Sequence, residues 1–186
     1  MTDNMIHNAP LGAESWFRCG GTADRLFVPE SLDTLTQFLK TNTPPLTILG
    51  GMANVIVRDG GVRGTVIRLG KGCAGIERLD DTTLRVEAGA LNGSVAAAAL
   101  KNNIGGLEFL SGIPGTLGGA VKMNAGAYGT EMKDVLVDVH LMDLDGTVHV
   151  KTPDALAMGY RHTDICLLYT SPSPRDQRGS RMPSSA

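Results

Sequence analysis

The feature that most constrains this chain is a stretch of backbone too rich in glycine to be an ordinary helix or strand. Between positions 107 and 129, glycine stands at 112, 115, 118, 119, 126 and 129. Each glycine inside a regular element costs about 0.5–1 kcal/mol relative to alanine. What such a run permits is close approach of bare backbone to another group. A pyrophosphate suits it, because several N–H donors converge with no side chain in the way, most of all beside a helix N-terminus. A glycine-rich surface loop is the plainer alternative.

A shorter cluster, Leu49-Gly50-Gly51-Met52-Ala53-Asn54-Val55, sits between two apolar runs. Its glycines let backbone N–H groups turn toward an anion, with Asn54 as a further donor. A plain hairpin turn uses the same residues. Neither cluster has the G-x-G-x-x-G or G-x-x-x-x-G-K-[ST] spacing. Glycine is 24 of 186 residues, about 13% against an ordinary ~7%. It has no G-X-Y period, so collagen is excluded.

Other function classes fall away on composition. Aromatic residues are 4%, too few for a single-strand stacking surface, and the formal charge of −2 argues against nucleic acid and anionic membranes. No apolar stretch is long enough to cross a bilayer, and the first ten residues lack the layout of a signal peptide. A cytoplasmic location follows as the expectation. Cys19, Cys73 and Cys166 lack metal-ligand spacing; Cys19 and Cys73 read as buried thiols, and no metal site is expected.

The chain divides at 1–70, 71–165 and 166–186. Ser31 caps a helix carrying Leu32, Leu35, Phe38 and Leu39 on one face, stopped by Pro44-Pro45. Residues 46–49, 55–57 and 65–69 read as strands, as does 84–87. Residues 92–101 read as a helix. Alternation over 135–144 predicts a strand turned by Asp145-Gly146 into a second at 147–150, which places His140 and His149 in a hairpin. Thr152 and Pro153 open a last short helix. No such period survives after Tyr169. CLLYTSPSPRD and SRMPSSA resemble translated ends of a sequencing-library adapter, so 166–186 is expected to be non-native or a disordered tail, with native sequence ending near Ile165.

Three runs carry a family resemblance: LTILGGMANVIVRDGGVRGTVIRLG (46–70), LEFLSGIPGTLGGAVKMNAGAYG (107–129) and MGYRHTDI (158–165). In order and spacing they resemble the UDP-N-acetylenolpyruvoylglucosamine reductases, also called UDP-N-acetylmuramate dehydrogenases. The resemblance implies an α+β, FAD-binding PCMH-type (vanillyl-alcohol-oxidase-like) fold of two α+β subdomains, truncated before the substrate-binding domain. It implies non-covalent FAD, NADPH as co-substrate, and reduction of UDP-N-acetylglucosamine enolpyruvate to UDP-N-acetylmuramate in peptidoglycan synthesis.

Carried over residue by residue, the resemblance assigns flavin contacts to Gly50, Gly51, Asn54 and Val55. It extends them to Gly112, Ile113, Pro114, Gly115, Thr116, Gly118, Gly119 and Ala120, and further to Asn124, Ala125, Gly126 and Tyr128. Arg161 of the GYR motif becomes the cation that stabilises the enolate formed after hydride transfer. Read alone, an arginine there is ordinarily a surface residue.

The sequence departs from the family at Met52 and Ala53, where glycine and serine are usual. Ala53 removes a hydroxyl donor, and Met52 is expected to narrow the backbone approach. No residue matches the family's serine proton donor or its late glutamate, so this chain is expected to be inactive alone. A non-catalytic flavin-binding module, or another FAD oxidoreductase of the same fold, remains the alternative.

Overall fold

The computed structural model describes residues 5–42 and 44–166. Strand β1 (Met5–Ala9) and the short helix α1 (Leu11–Glu14) lead into β2 (Ala23–Phe27). Helix α2 (Leu32–Thr41) starts where the sequence indicates: the Ser31 hydroxyl accepts the Thr34 amide at 3.1 Å, and Leu35, Phe38 and Leu39 face inward. Strands β3 (Leu46–Leu49) and β4 (Val62–Arg68) complete a four-stranded sheet of order β1-β2-β4-β3. β1 is antiparallel to β2, whereas β2 and β3 both run parallel to β4.

Successive strand residues point to opposite faces, so neighbours in sequence feed different cores. Leu26 pairs with Val66 across β2 and β4, and both pack with Leu11, Met52 and Val57. The next pair, Phe27 and Ile67, packs on the other face against α2, where Phe27 and Phe38 stack with centroids 3.9 Å apart. Between Ala23 and Arg25 the register shifts, and β4 carries one residue more than β2. Gly64 lies in that bulge at φ +85°, its N–H donating to the Asp24 carboxylate at 3.1 Å. That bond, more than the neighbouring Arg63, holds the Asp24 carboxyl below its usual range.

The second half is shorter in its elements and richer in turns. β5 (Ile76–Arg78) and β6 (Leu84–Val86) pair antiparallel, and α3 (Asn92–Lys101) has the expected bounds. A 3-10 segment, Glu108–Gly112, precedes helix α4 (Leu117–Lys122). Then come β7 (Gly126–Ala127), β8 (Thr130–Glu131), α5 (Met132–Val135), and the hairpin of β9 (Val139–Met142) with β10 (Val148–Lys151). Val95, Phe109, Leu110, Val121 and Met132 form its core. Met142 and Leu144 reach across to pack on the α2 cluster.

The architecture is the expected α+β fold. Several local expectations give way. Residues 55–57 form no strand. Val135 ends a helical turn instead of beginning a strand, because Glu131 and Asp134 cap that turn reciprocally. The last short helix is a single 3-10 turn, Asp154–Leu156, with Pro153 at the cap position where Thr152 was expected. Cys73 is buried, and desolvation pushes its thiol pKa up; Cys19 is exposed, contrary to expectation. β1 and β2 had no counterpart in the sequence reading. Apart from the backbone of Cys166, the tail assignment lies outside the described residues. Among those residues no helix is long and apolar enough to cross a membrane.

Candidate functional site

The two glycine clusters meet. β3 runs directly into Gly50 and Gly51, which lie against the 115–116 segment. A Cβ placed on Gly50 stands 2.0 Å from Thr116 Oγ1, and one on Gly51 stands 3.2 Å from Gly115 Cα. Gly115, at φ +102°, brings its own Cβ position 3.4 Å from the Ala53 methyl. Close contact here therefore requires glycine on both sides.

The start of α3 holds the second loop from behind. The Asn92 backbone N–H donates to Gly115 O at 3.1 Å, and its side-chain Nδ2 donates to Ile113 O at 3.2 Å. Asn92 is buried, and its Oδ1 has no hydrogen-bond partner among the described residues. In front of the loop opens a cleft of about 570 Å³. Residues 111–115 line it, together with Leu91, Gly93 and Ser94 of the α3 start and Trp16.

No side chain in that lining is ionisable, so the cleft carries no general acid or base. Gly93 faces open space, with nothing within 4 Å of its Cβ position. A bare backbone cradle of this kind fits a dinucleotide whose own ring system supplies the reactivity. The groups with perturbed pKa values lie elsewhere. Glu131 is lowered chiefly by its bond to Lys133, and Asp145 is lowered to about 2, chiefly by Thr147. Among the described residues no three His, Cys, Asp or Glu side chains are placed to share a metal ion.

Of the residues assigned to the flavin, the structure gathers Gly50, Gly51, Gly112, Ile113, Pro114, Gly115 and Thr116. Tyr128 is exposed, and its ring lies over Gly112, 3.3 Å from the Cβ position. Asn54 is exposed and Gly119 borders space that only Thr116 Oγ1 approaches, at 3.7 Å.

Others hold the fold together. The Gly118 N–H donates to Ala88 O at 2.9 Å, and a Cβ there would stand 2.7 Å from the Ala88 methyl. With Leu117 N–H donating to Ala90 O at 2.8 Å, the first two amides of the six-residue α4 are already engaged. Two amides of the helix terminus anticipated for a pyrophosphate are thus used in packing against 88–90. Ala120 and Val55 pack into the cores, and so does Ala125. Gly126 is glycine because a Cβ would stand 2.8 Å from Thr130 O.

Asn124 is likewise engaged within the fold. It is buried at φ +41°. Its Nδ2 donates to Glu131 Oε2 at 2.9 Å and to Gly159 O at 3.1 Å, and its Oδ1 accepts the Lys133 N–H at 3.0 Å. Its amide therefore ties three segments together. Met52 does not narrow the approach: at φ +50° its side chain turns into the first core, where it is 4% exposed.

Arg161 sits at the tip of a tight turn in which Gly159 and His162 exchange backbone hydrogen bonds of 3.0 and 3.1 Å. It is exposed and has φ +53°. The turn docks on the far end of α4: Asn124 reaches Gly159, the Thr163 hydroxyl donates to Val121 O at 3.0 Å, and Lys122 Nζ donates to Thr163 O at 3.0 Å. Arg161 is not among the residues that line the cleft. The residues that sequence reasoning missed are Trp16, Leu91, Asn92, Gly93 and Ser94. Only Gly93, a glycine in the first turn of a helix, carried a visible signal.

The FAD binding domain family matches residues 23–151. UDP-N-acetylenolpyruvoylglucosamine reductase of Gluconobacter oxydans is 49% identical over 163 residues, covering 87% of this chain and 53% of that protein. The same-named enzyme of Maricaulis maris is 49% identical over 162 residues, covering 86% and 51%. The chain spans about half the length of the curated relatives it matches. Among solved structures, UDP-N-acetylenolpyruvylglucosamine reductase from Thermus caldophilus superposes with a TM-score of 0.71 at 35% identity, covering 86% of this chain and 56% of that one. A wild-type Phl p 4 glucose dehydrogenase superposes with a TM-score of 0.57 at 12% identity over 81% of this chain and 36% of its own, a likeness of fold.

Proposed function

The chain belongs to the FAD binding domain family, and from that membership we propose that it is the flavin-holding part of a UDP-N-acetylenolpyruvoylglucosamine reductase. The observation that carries the reading is the convergence of Gly50-Gly51 with Gly115-Thr116 beside a cleft without ionisable side chains. Bound there, FAD supplies the hydride chemistry that links NADPH to the enolpyruvyl double bond. The chain's own residues bind and orient. The backbone of 50–51 and 112–116 would hold the cofactor, and the Thr116 hydroxyl lies between the two loops. The bare start of α3 leaves room at Gly93.

Arg161 acts from outside the cleft lining. Reduction of the double bond at the carbon distal to the carboxylate drives negative charge toward that carboxylate. An exposed guanidinium at the tip of a backbone-closed turn stabilises the resulting enolate. The product is UDP-N-acetylmuramate, which places the reaction in peptidoglycan precursor synthesis, in the cytoplasm. Two subdomains divide near residue 70, with the β9–β10 hairpin bridging them. The serine donor that the family resemblance implies for protonation of the second carbon has no match in the chain's motifs, so we expect the 186-residue chain to hold FAD with turnover absent or severely reduced.

Purifying the chain with FAD tests both halves of the reading. We expect flavin absorbance to co-elute with the protein, and NADPH oxidation with enolpyruvyl substrate to stay at background. A chain that elutes colourless overturns the cofactor reading, and substrate-dependent NADPH oxidation overturns the inactivity.

A further inference from the structure

We propose that Trp16 is the stacking surface for a planar ring of the dinucleotide held in the cleft. The proposal rests on the flavin reading above and adds to it a residue that the glycine motifs do not contain.

Trp16 is the chain's single tryptophan. It is 69% exposed, and it lines the cleft beside Ile113, Pro114 and Leu91, itself 56% exposed. An indole left this open forgoes a large burial of apolar area, unless a ligand covers it.

Its position is set by the backbone and not by a loose loop. Ser15 closes α1, its hydroxyl donating to Gly12 O at 2.9 Å and its N–H to Leu11 O at 3.1 Å. The Arg18 N–H donates back to Ser15 O at 3.0 Å. The Trp16 N–H donates to Met52 O at 3.3 Å, which fastens it to the first glycine cluster. Met52 can offer that carbonyl because its own side chain is turned into the core. The backbone of residue 16 is therefore fastened to the 50–53 loop, and its indole lines the cleft with residues 111–115.

The occupant follows from the lining. With no charged side chain beside it, the surface suits a flat, weakly polar face. FAD carries two such faces, the isoalloxazine and the adenine, and an indole recognises either by the same stacking chemistry.

The test measures binding of FAD, FMN and ADP to the full chain and to two variants. Binding is followed by flavin absorbance for FAD and FMN and by calorimetry for ADP. Trp16→Ala is expected to weaken FAD binding roughly 5- to 100-fold and to alter the visible flavin band if the isoalloxazine is the stacked ring. Trp16→Phe, which keeps a flat face, is expected to lose less than about 5-fold. Sensitivity of FMN binding to Trp16→Ala assigns the isoalloxazine, and sensitivity of ADP binding assigns the adenine. Wild-type chain that retains FAD while Trp16→Ala binds it within about twofold overturns this proposal and leaves the flavin reading standing. Wild-type chain that retains no FAD overturns both. Because the indole is solvent-exposed, an unchanged melting temperature in Trp16→Ala separates loss of stacking from loss of fold.

Discussion

Gly50, packed against the 115–116 loop, and Gly93, in the lining of the cleft, are glycine for opposite reasons. The protein itself fills the space beside Gly50, where Thr116 Oγ1 stands 2.0 Å from the position a Cβ would take. The space beside Gly93 is open, although Gly93 lies in the first turn of α3 where alanine is the better helix former. One glycine is a requirement of folding, and the other is a concession by the fold to whatever enters the cleft. Gly118 against Ala88 and Gly64 against Pro45 belong with Gly50; Gly119 is closer to Gly93. The glycine excess in the sequence is therefore of mixed origin, and it also includes turn glycines in open space such as Gly106 and Gly129, at φ +89° and +86°. Counting all glycines together overstates how much of the chain faces a ligand.

The sharpest way to break this division is Gly50→Ala. Its methyl cannot coexist with the Thr116 hydroxyl, so one loop must shift, at a cost of about 2–3 kcal/mol. Thr116→Ala in the same chain removes the atom in the way and is expected to recover part of that loss. Denaturant unfolding of the two single variants and the double variant measures the coupling. If Thr116→Ala recovers nothing, Gly50 is not held by packing and the division fails at its first member.

The same division marks what was legible in the sequence. Features fixed by neighbours a few residues away could be read. These are the Ser31 cap of α2, the bounds of α3, and the Asp145-Gly146 turn between β9 and β10. Features fixed by distant segments could not. Residues 55–57 have the composition of a strand. What lies against them is Gly20-Gly21, with Val57 O 2.0 Å from the Gly20 Cβ position and Gly21 N–H donating to Arg58 O at 3.0 Å. That contact supplies close approach without a ladder. The alternation that starts at Val135 was real, but the capping of the turn by Glu131 and Asp134 outweighs it. At the site, the glycine motifs pointed to two loops that the fold brings together, while the partners of Asn124 and Gly118 within the fold were invisible in a linear motif. Trp16 left no periodic signal, since its place depends on a carbonyl 36 positions further along the chain.

Gly93→Ala sharpens the comparison from its other side, with a smaller effect. In α3 the substitution is expected to stabilise the fold by about 0.5–1 kcal/mol, because alanine loses less backbone entropy on forming a helix. The added methyl projects into the cleft, so FAD retention is expected to fall while the melting temperature rises. Paired measurements of melting and flavin binding check this. A variant that gains stability and binds flavin as before shows that Gly93 does not border the ligand.

The smallest effect concerns Gly64, a glycine that the fold fills from two directions. A Cβ there would stand 2.3 Å from Pro45 O, and its N–H is held by Asp24 at 3.1 Å. Asp24 is half-buried, and its carboxyl is held below the usual range first by that N–H and then by Arg63. A carboxyl whose pKa is lower in the folded state stabilises the fold fully above its unfolded value, and that contribution disappears as pH falls through the folded one. Asp24→Asn is therefore expected to melt slightly below the wild-type chain at neutral pH. The gap should close as pH is lowered through and below the usual carboxylate range. Melting curves of both chains across that interval read it directly. A gap that stays constant with pH means that the bulge is held by the backbone alone. Gly64 then joins Gly50 as a glycine explained by packing, with no electrostatic contribution from its neighbour.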